Sequence, residues 1–124
     1  MVSNAGQVQG TKPGICERHG RQLFTTTSER FKLAIKQGLS IQGTDLCRLE
    51  IWQGNAKTET LIDIEIPLRL QLNIVANTVS LRDRDKVEKR LNDRLAIGRL
   101  YREQRGHWVC SACLHELLAT ALSQ

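Results

Sequence analysis

Cys110 and Cys113 stand three residues apart in HWVCSACLHELL, where the leucine spacing that follows predicts a helix. At i and i+3 the two sulfurs share one side of a first helical turn, where backbone N–H groups and the helix dipole favour thiolates. Cys16 and His19 repeat this spacing near the other end of the chain, in GICERHGR, and Gly20 follows them. Two pairs of nitrogen and sulfur donors, CxxH and CxxC, match the tetrahedral preference of structural zinc. Such a site takes all four ligands from protein and leaves no position for water or substrate. For the CxxC alone, a redox pair or packing cysteines are the alternatives, but the βαβ pattern of a thioredoxin-like chain is missing around it. The expected ligands to a structural Zn2+ are therefore Cys16, His19, Cys110 and Cys113.

The other candidates for metal chemistry have plainer readings. Cys47 alternates with Leu49 and Ile51 in LCRLEIWQ, the pattern of a buried thiol in a strand. His115 lies two residues beyond Cys113 and points away from the leucine stripe, toward solvent. His107 precedes Trp108 and is a weaker substitute for His19.

CERHG and CSACLHELL resemble the treble-clef class of zinc fingers, in which a knuckle with Gly after its second ligand supplies one pair and the first turn of a helix the other. The resemblance implies a zinc site that ties the termini together and does not catalyse. Pairs of this kind also look similar to those of phage and plasmid proteins that handle nucleic acid. HNH nucleases, themselves treble clefs, require a catalytic His in the strand after the knuckle, and RQLFTTTS contains none. The chain departs from compact fingers in placing 90 residues between His19 and Cys110. Growing a loop about six-fold costs only ~1.5 kcal/mol, against on the order of 10 kcal/mol from a structural zinc site.

The elements that must position these pairs are readable in part. Residues 1–14 are polar, contain Gly6, Gly10, Pro13 and Gly14, and read as a flexible N-terminal tail before a single domain over 15–124. Thr27 or Ser28 caps a short helix carrying Phe31, Ala34 and Ile35 on one face and ending at Gly38. A strand through Cys47, Leu49 and Ile51 turns at QGN, 53–55. LIDIEIPLRLQLNIV then places Ile62, Ile64, Ile66, Leu68, Leu70, Leu72 and Ile74 at strict period two, predicting one half-buried strand with Pro67 at an edge or bend. Ser80 and Asp83 have the form of a capping box, and Val87, Leu91 and Leu95 form a helical stripe that Gly98 interrupts or ends. After a short extended HWV, Leu114, Leu117, Leu118, Ala121 and Leu122 mark the last helix. The fold expected is α+β: a small antiparallel sheet or hairpin with flanking helices, its termini stapled by a treble-clef-like zinc site.

Charge and composition narrow the function. The 18 Lys and Arg exceed the 13 Asp and Glu, and residues 82–105 hold nine basic against five acidic side chains. A basic surface favours phosphates or acidic partners. Arg82, Lys86, Lys89 and Arg90 fall on one flank of the predicted 80–97 helix, and Arg18 and Arg21 flank the knuckle. Aspartates among them also fit a solvated, salt-bridged face. The five aromatics are scattered and read as core. Ser-His-Asp, glycine-rich phosphate-loop and HExxH patterns are missing, so no enzyme is expected. With no secretory signal and no apolar run of membrane-spanning length, the reading is a soluble, cytoplasmic protein without a small-molecule substrate. Its expected partner is nucleic acid or a protein of a nucleoprotein complex; the alternative is a protein-binding adaptor or inhibitor with a purely structural zinc.

Overall fold

Backbone hydrogen bonding sorts the strands into two three-stranded sheets. The computed structural model describes residues 10–83 and 90–123, with the side chains of 90 and 91 outside the described set. In the first sheet β1 (Lys12–Cys16) and β2 (Gly20–Thr26) form an antiparallel hairpin, and β6 (Trp108–Cys110), from the far end of the chain, pairs antiparallel with the other edge of β2. In the second, β3 (Leu46–Gln53) lies between β4 (Ala56–Asp63), antiparallel, and β5 (Thr78–Asp83), parallel. Helices α1 (Glu29–Gln37), α2 (Glu65–Arg69), α3 (Arg90–Gln104) and α4 (Ser111–Leu122) complete the α+β architecture. No helix among the described residues is long and apolar enough to cross a membrane. Strand structure begins at Lys12, inside the 1–14 segment read as tail from sequence; residues 1–9 lie outside the described residues.

Two apolar clusters divide the labour. Cys47, Leu49 and Ile51 of β3 point to one side with Ile62, Val79 and Leu81, and that face is covered by Ile66 of α2 and by Ala96, Ile97 and Leu100 of α3. Phe31 and Ala34 of α1 pack with Leu117 and Ala121 of α4, joined by Ile41 and Leu46. Helix α1 starts where expected: the Ser28 hydroxyl accepts the Phe31 N–H at 3.0 Å, and Gly38 closes the helix at φ 69°, a left-handed conformation that favours glycine.

The single strand expected over 62–74 is not formed. β4 stops at Asp63, whose carboxylate accepts the Glu65 N–H at 3.0 Å and turns the chain into α2. Pro67 is the third residue of that helix, where no intrahelical N–H is needed. An apolar residue at every second position also satisfies i, i+4: Ile66 is fully buried and Leu70 packs on the same core, while Leu68 is 58% exposed. The second correction concerns 80–97. Ser80 and Asp83 belong to β5 and not to a helix N-terminus, because the tight turn Val75–Thr78, with Ala76 and Asn77 at φ 52° and 56°, delivers the chain alongside β3. Helix α3 runs through Gly98 to Gln104 and turns Ala96, Ile97 and Leu100 inward, leaving Leu95 60% exposed; Val87 lies outside the described residues.

Asp63 is 1% exposed and acts as the hub between these pieces. Ser28 donates to it at 2.7 Å, and the Arg30 guanidinium grips both of its oxygens through Nε and Nη2 while reaching Asp45 at 3.0 Å. A buried carboxylate is tolerable here because both its oxygens are hydrogen-bonded and a cation is adjacent. Asp63→Ala should therefore cost about 3 kcal/mol of unfolding free energy, since Arg30 and Ser28 lose their shared acceptor. Urea denaturation measures this, and a loss below about 0.5 kcal/mol, that of an ordinary surface change, would show that the hub does not hold the elements together.

Candidate metal centre

The β1–β2 hairpin is closed by a three-residue turn, Glu17–His19, with Cys16 paired across to Gly20. Gly20 has φ 70°, the left-handed value that lets the chain re-enter the sheet directly after His19. The backbone N–H groups of Arg18 and His19 favour a thiolate at Cys16, as a turn wrapped around a sulfur does. At the other end, β6 pairs with β2 and places Cys110 at the N-cap of α4 and Cys113 in its first turn, both sulfurs toward the hairpin turn.

The four donor atoms, three Sγ and the His19 Nδ1, all lie within 4.8 Å of one another. Nδ1 of His19 is 3.5 Å from Cys16 Sγ, 3.5 Å from Cys113 Sγ and 3.8 Å from Cys110 Sγ, and the Cys16 and Cys113 sulfurs are 3.6 Å apart. A tetrahedral ion with M–S near 2.3 Å and M–N near 2.05 Å needs S···S edges of about 3.8 Å and S···N edges of about 3.6 Å. The cluster has edges of that length. All four cysteines are free, and a sulfur separation of 3.6 Å is far outside a disulfide.

Beyond the donors stands a residue that sequence reasoning did not assign a role. Glu116, one turn after Cys113 on α4, accepts from His19 Nε2 at 2.8 Å and from Arg18 Nη2 at 2.9 Å. A carboxylate on the far ring nitrogen fixes the imidazole orientation and leaves Nδ1 as the donor atom. Its spacing of three from Cys113, and its being the only charged side chain after Arg105 apart from the histidines, was the available signal.

The electrostatics differ from donor to donor. The bond to His19, then the Arg18 and His19 N–H groups, pull the Cys16 thiol down to about 6. Burial, then its neighbouring thiols, push Cys113 up to about 12. His19 is raised by Cys16 and then Glu116, and Glu116 is lowered by His19 and Arg18. A metal held there would take thiolates and neutral imidazole, and so would displace a proton from Cys113.

The remaining candidates fall elsewhere. Cys47 is fully buried in the β3 core, with burial raising its thiol, and His107 and His115 are outside the donor cluster. Arg18 is committed to Glu116, and Arg21 is exposed on β2 opposite Ile15. Arg82 lies on β5, its guanidinium 5.3 Å from the Trp52 ring centre, so it does not share a helical flank with the others. Arg90 opens α3, while Lys86 and Lys89 lie outside the described residues.

No family model, curated protein or solved structure matches the chain. The geometry of the four donors carries the metal-site reading.

Because Glu116 orients His19, Glu116→Ala should weaken metal affinity by about 10- to 100-fold, measured by competition with a chromophoric chelator. His115→Ala, His107→Ala and Cys47→Ser should leave that affinity unchanged. Equal affinity for Glu116→Ala and the parent would remove Glu116 from the site.

Proposed function

We propose that Cys16, His19, Cys110 and Cys113 hold one structural zinc ion in a treble-clef-like arrangement, and that this non-enzymatic, basic protein associates with nucleic acid or with a protein of a nucleoprotein complex. The observation that carries the zinc reading is the set of S···S and S···N separations, which fits a tetrahedral ion with three thiolates and one imidazole. With four protein ligands the ion has no open position, and its work is to tie α4 to the hairpin. The treble-clef likeness is supported by the source of the ligands, one pair from the β1–β2 turn ahead of Gly20 and the other from the start of α4.

Support for nucleic acid comes from how the acidic side chains around α3 are used. Asp83 faces Arg94 at 3.7 Å, Glu103 bonds Arg69 at 2.6 Å, and Asp93 accepts the Arg82 backbone N–H at 3.0 Å. Arg99, Arg102 and Arg105 are exposed and make no ion pair among the described residues. Three arginines without an ion pair among the described residues are suited to phosphate oxygens. The protein-adaptor reading has one observation of its own: Ile15 and Leu23 lie on the same face of the hairpin, 78% and 54% exposed.

Purified protein should contain about one zinc per chain, and chelation should loosen α4 and the hairpin before the β3–β4–β5 sheet. Changing Arg99, Arg102 and Arg105 to Ala should leave zinc content and folding intact and weaken binding to duplexes of any sequence. For every arginine that neutralises a phosphate, its replacement should reduce the salt-dependence slope by about 0.9 for duplex or 0.7 for single strand. An unchanged slope would discard α3 as the contact face; undetectable binding of the intact protein at low salt would favour the adaptor.

A further inference from the structure

Each three-stranded sheet has two outer edges, and an edge strand offers unpaired N–H and C=O groups to any strand that can lie beside it. Three of the four edges are blunted. β1 carries Pro13 within its five residues, β6 is three residues long, and on β5 the Asp93 carboxylate takes the Arg82 N–H at 3.0 Å. β4 has none of these devices. It runs eight residues from Ala56 to Asp63 without proline, and it pairs with β3 one residue to one from end to end, so no bulge bends it away. Its first five residues, Ala56–Thr60, are exposed, and among the described residues the ladder to β3 supplies their only backbone hydrogen bonds.

Charge selects the strand that fits. Lys57 and Glu59 point to one face of the sheet, with Thr58 between them on the other. A strand of arbitrary sequence laid against this edge meets charges it does not match, which is how charged side chains protect edges. A second copy of the chain, turned by a two-fold axis through Thr58, does match them. In that antiparallel register Thr58 faces Thr58, Ala56 faces Thr60, and Lys57 of each copy faces Glu59 of the other, twice by symmetry. Sliding the copies by two residues instead sets Lys57 against Lys57 or Glu59 against Glu59, so the charges favour this register over its neighbours. Both side chains are free to turn to it, because within one copy they are held only by pairs of 3.4–3.6 Å with each other, Glu50 and Arg48. We propose that β4 pairs antiparallel with β4 of a second copy about Thr58, joining the two β3–β4–β5 sheets into one of six strands. Neither the metal nor nucleic acid takes part in this contact. Five paired residues a side bury less than the ~1,200 Å² at which stable interfaces begin, so this dimer dissociates on dilution.

Analytical ultracentrifugation of the full chain from micromolar to near-millimolar concentration, at low salt, should show a reversible equilibrium between monomer and dimer. Lys57→Glu sets two pairs of like charges across the contact and should weaken it by about ten-fold or more, as should Glu59→Lys. Both side chains are exposed, so the far-UV circular dichroism of each variant should stay that of the parent. The double exchange, Lys57→Glu with Glu59→Lys, should dimerise again. A mixture of the two single variants should form a mixed dimer, because each supplies the charge that the other lacks. A parent that stays monomeric at the highest concentration overturns the proposal. So does a dimer that both single variants keep at full strength, which would put the contact elsewhere, the exposed Ile15 and Leu23 face of the hairpin included. Single variants that fail to dimerise and are restored neither by exchange nor by mixing overturn it as well.

Discussion

Four donor atoms gathered from opposite ends of the chain, all within 4.8 Å of one another, are the constraint on which the first sheet depends. The hairpin of β1 and β2 has one apolar side in the open, at Ile15 and Leu23, and β6 is only three residues long. A two-stranded hairpin is marginal by itself in water. β6 pairs with β2, and α4 lies over the turn, where Cys16 and His19 converge with Cys110 and Cys113. Closing a loop of 90 residues has a logarithmic cost and is small beside the free energy of a filled tetrahedral site.

The insertion between the two pairs is in turn held by an interaction of different character. Asp63 ends β4, receives Ser28 and Arg30 from the start of α1, and starts α2 through the Glu65 N–H. Its position across from Leu46 ties this network to the beginning of β3, where the cluster of α1 and α4 also packs. Helix α4 carries Cys113 on one turn and, on the next two, Leu117 and Ala121, which pack with α1 and Leu46. A metal held at the first turn of α4, as proposed, would restrain the helix whose later turns complete the core.

Residues whose roles are local were legible in the sequence. Ser28 and Gly38 cap α1, Cys47, Leu49 and Ile51 share the buried face of β3, and the CxxH and CxxC pairs meet as their spacing required. The failures have a common physical source. Alternation over 62–74 contains the i, i+4 spacing as a subset, and what chose between them was the tertiary partner set of Asp63, which no local pattern encodes. Ser80 and Asp83 fit a capping box, yet parallel pairing with β3 holds them extended, a non-local bond invisible to periodicity. Glu116 was visible as a lone acidic residue, but its partner is 97 positions away, and only the fold brings the two together.

The central claim, that the chain closes on itself through a tetrahedral metal, is tested most directly by X-ray absorption at the zinc edge of the purified protein. The account predicts one shell of three sulfurs at about 2.3 Å and one nitrogen at about 2.05 Å, with one sulfur fewer in Cys113→Ser. A shell of oxygen and nitrogen only, or metal-free protein with a folded first sheet, would contradict it.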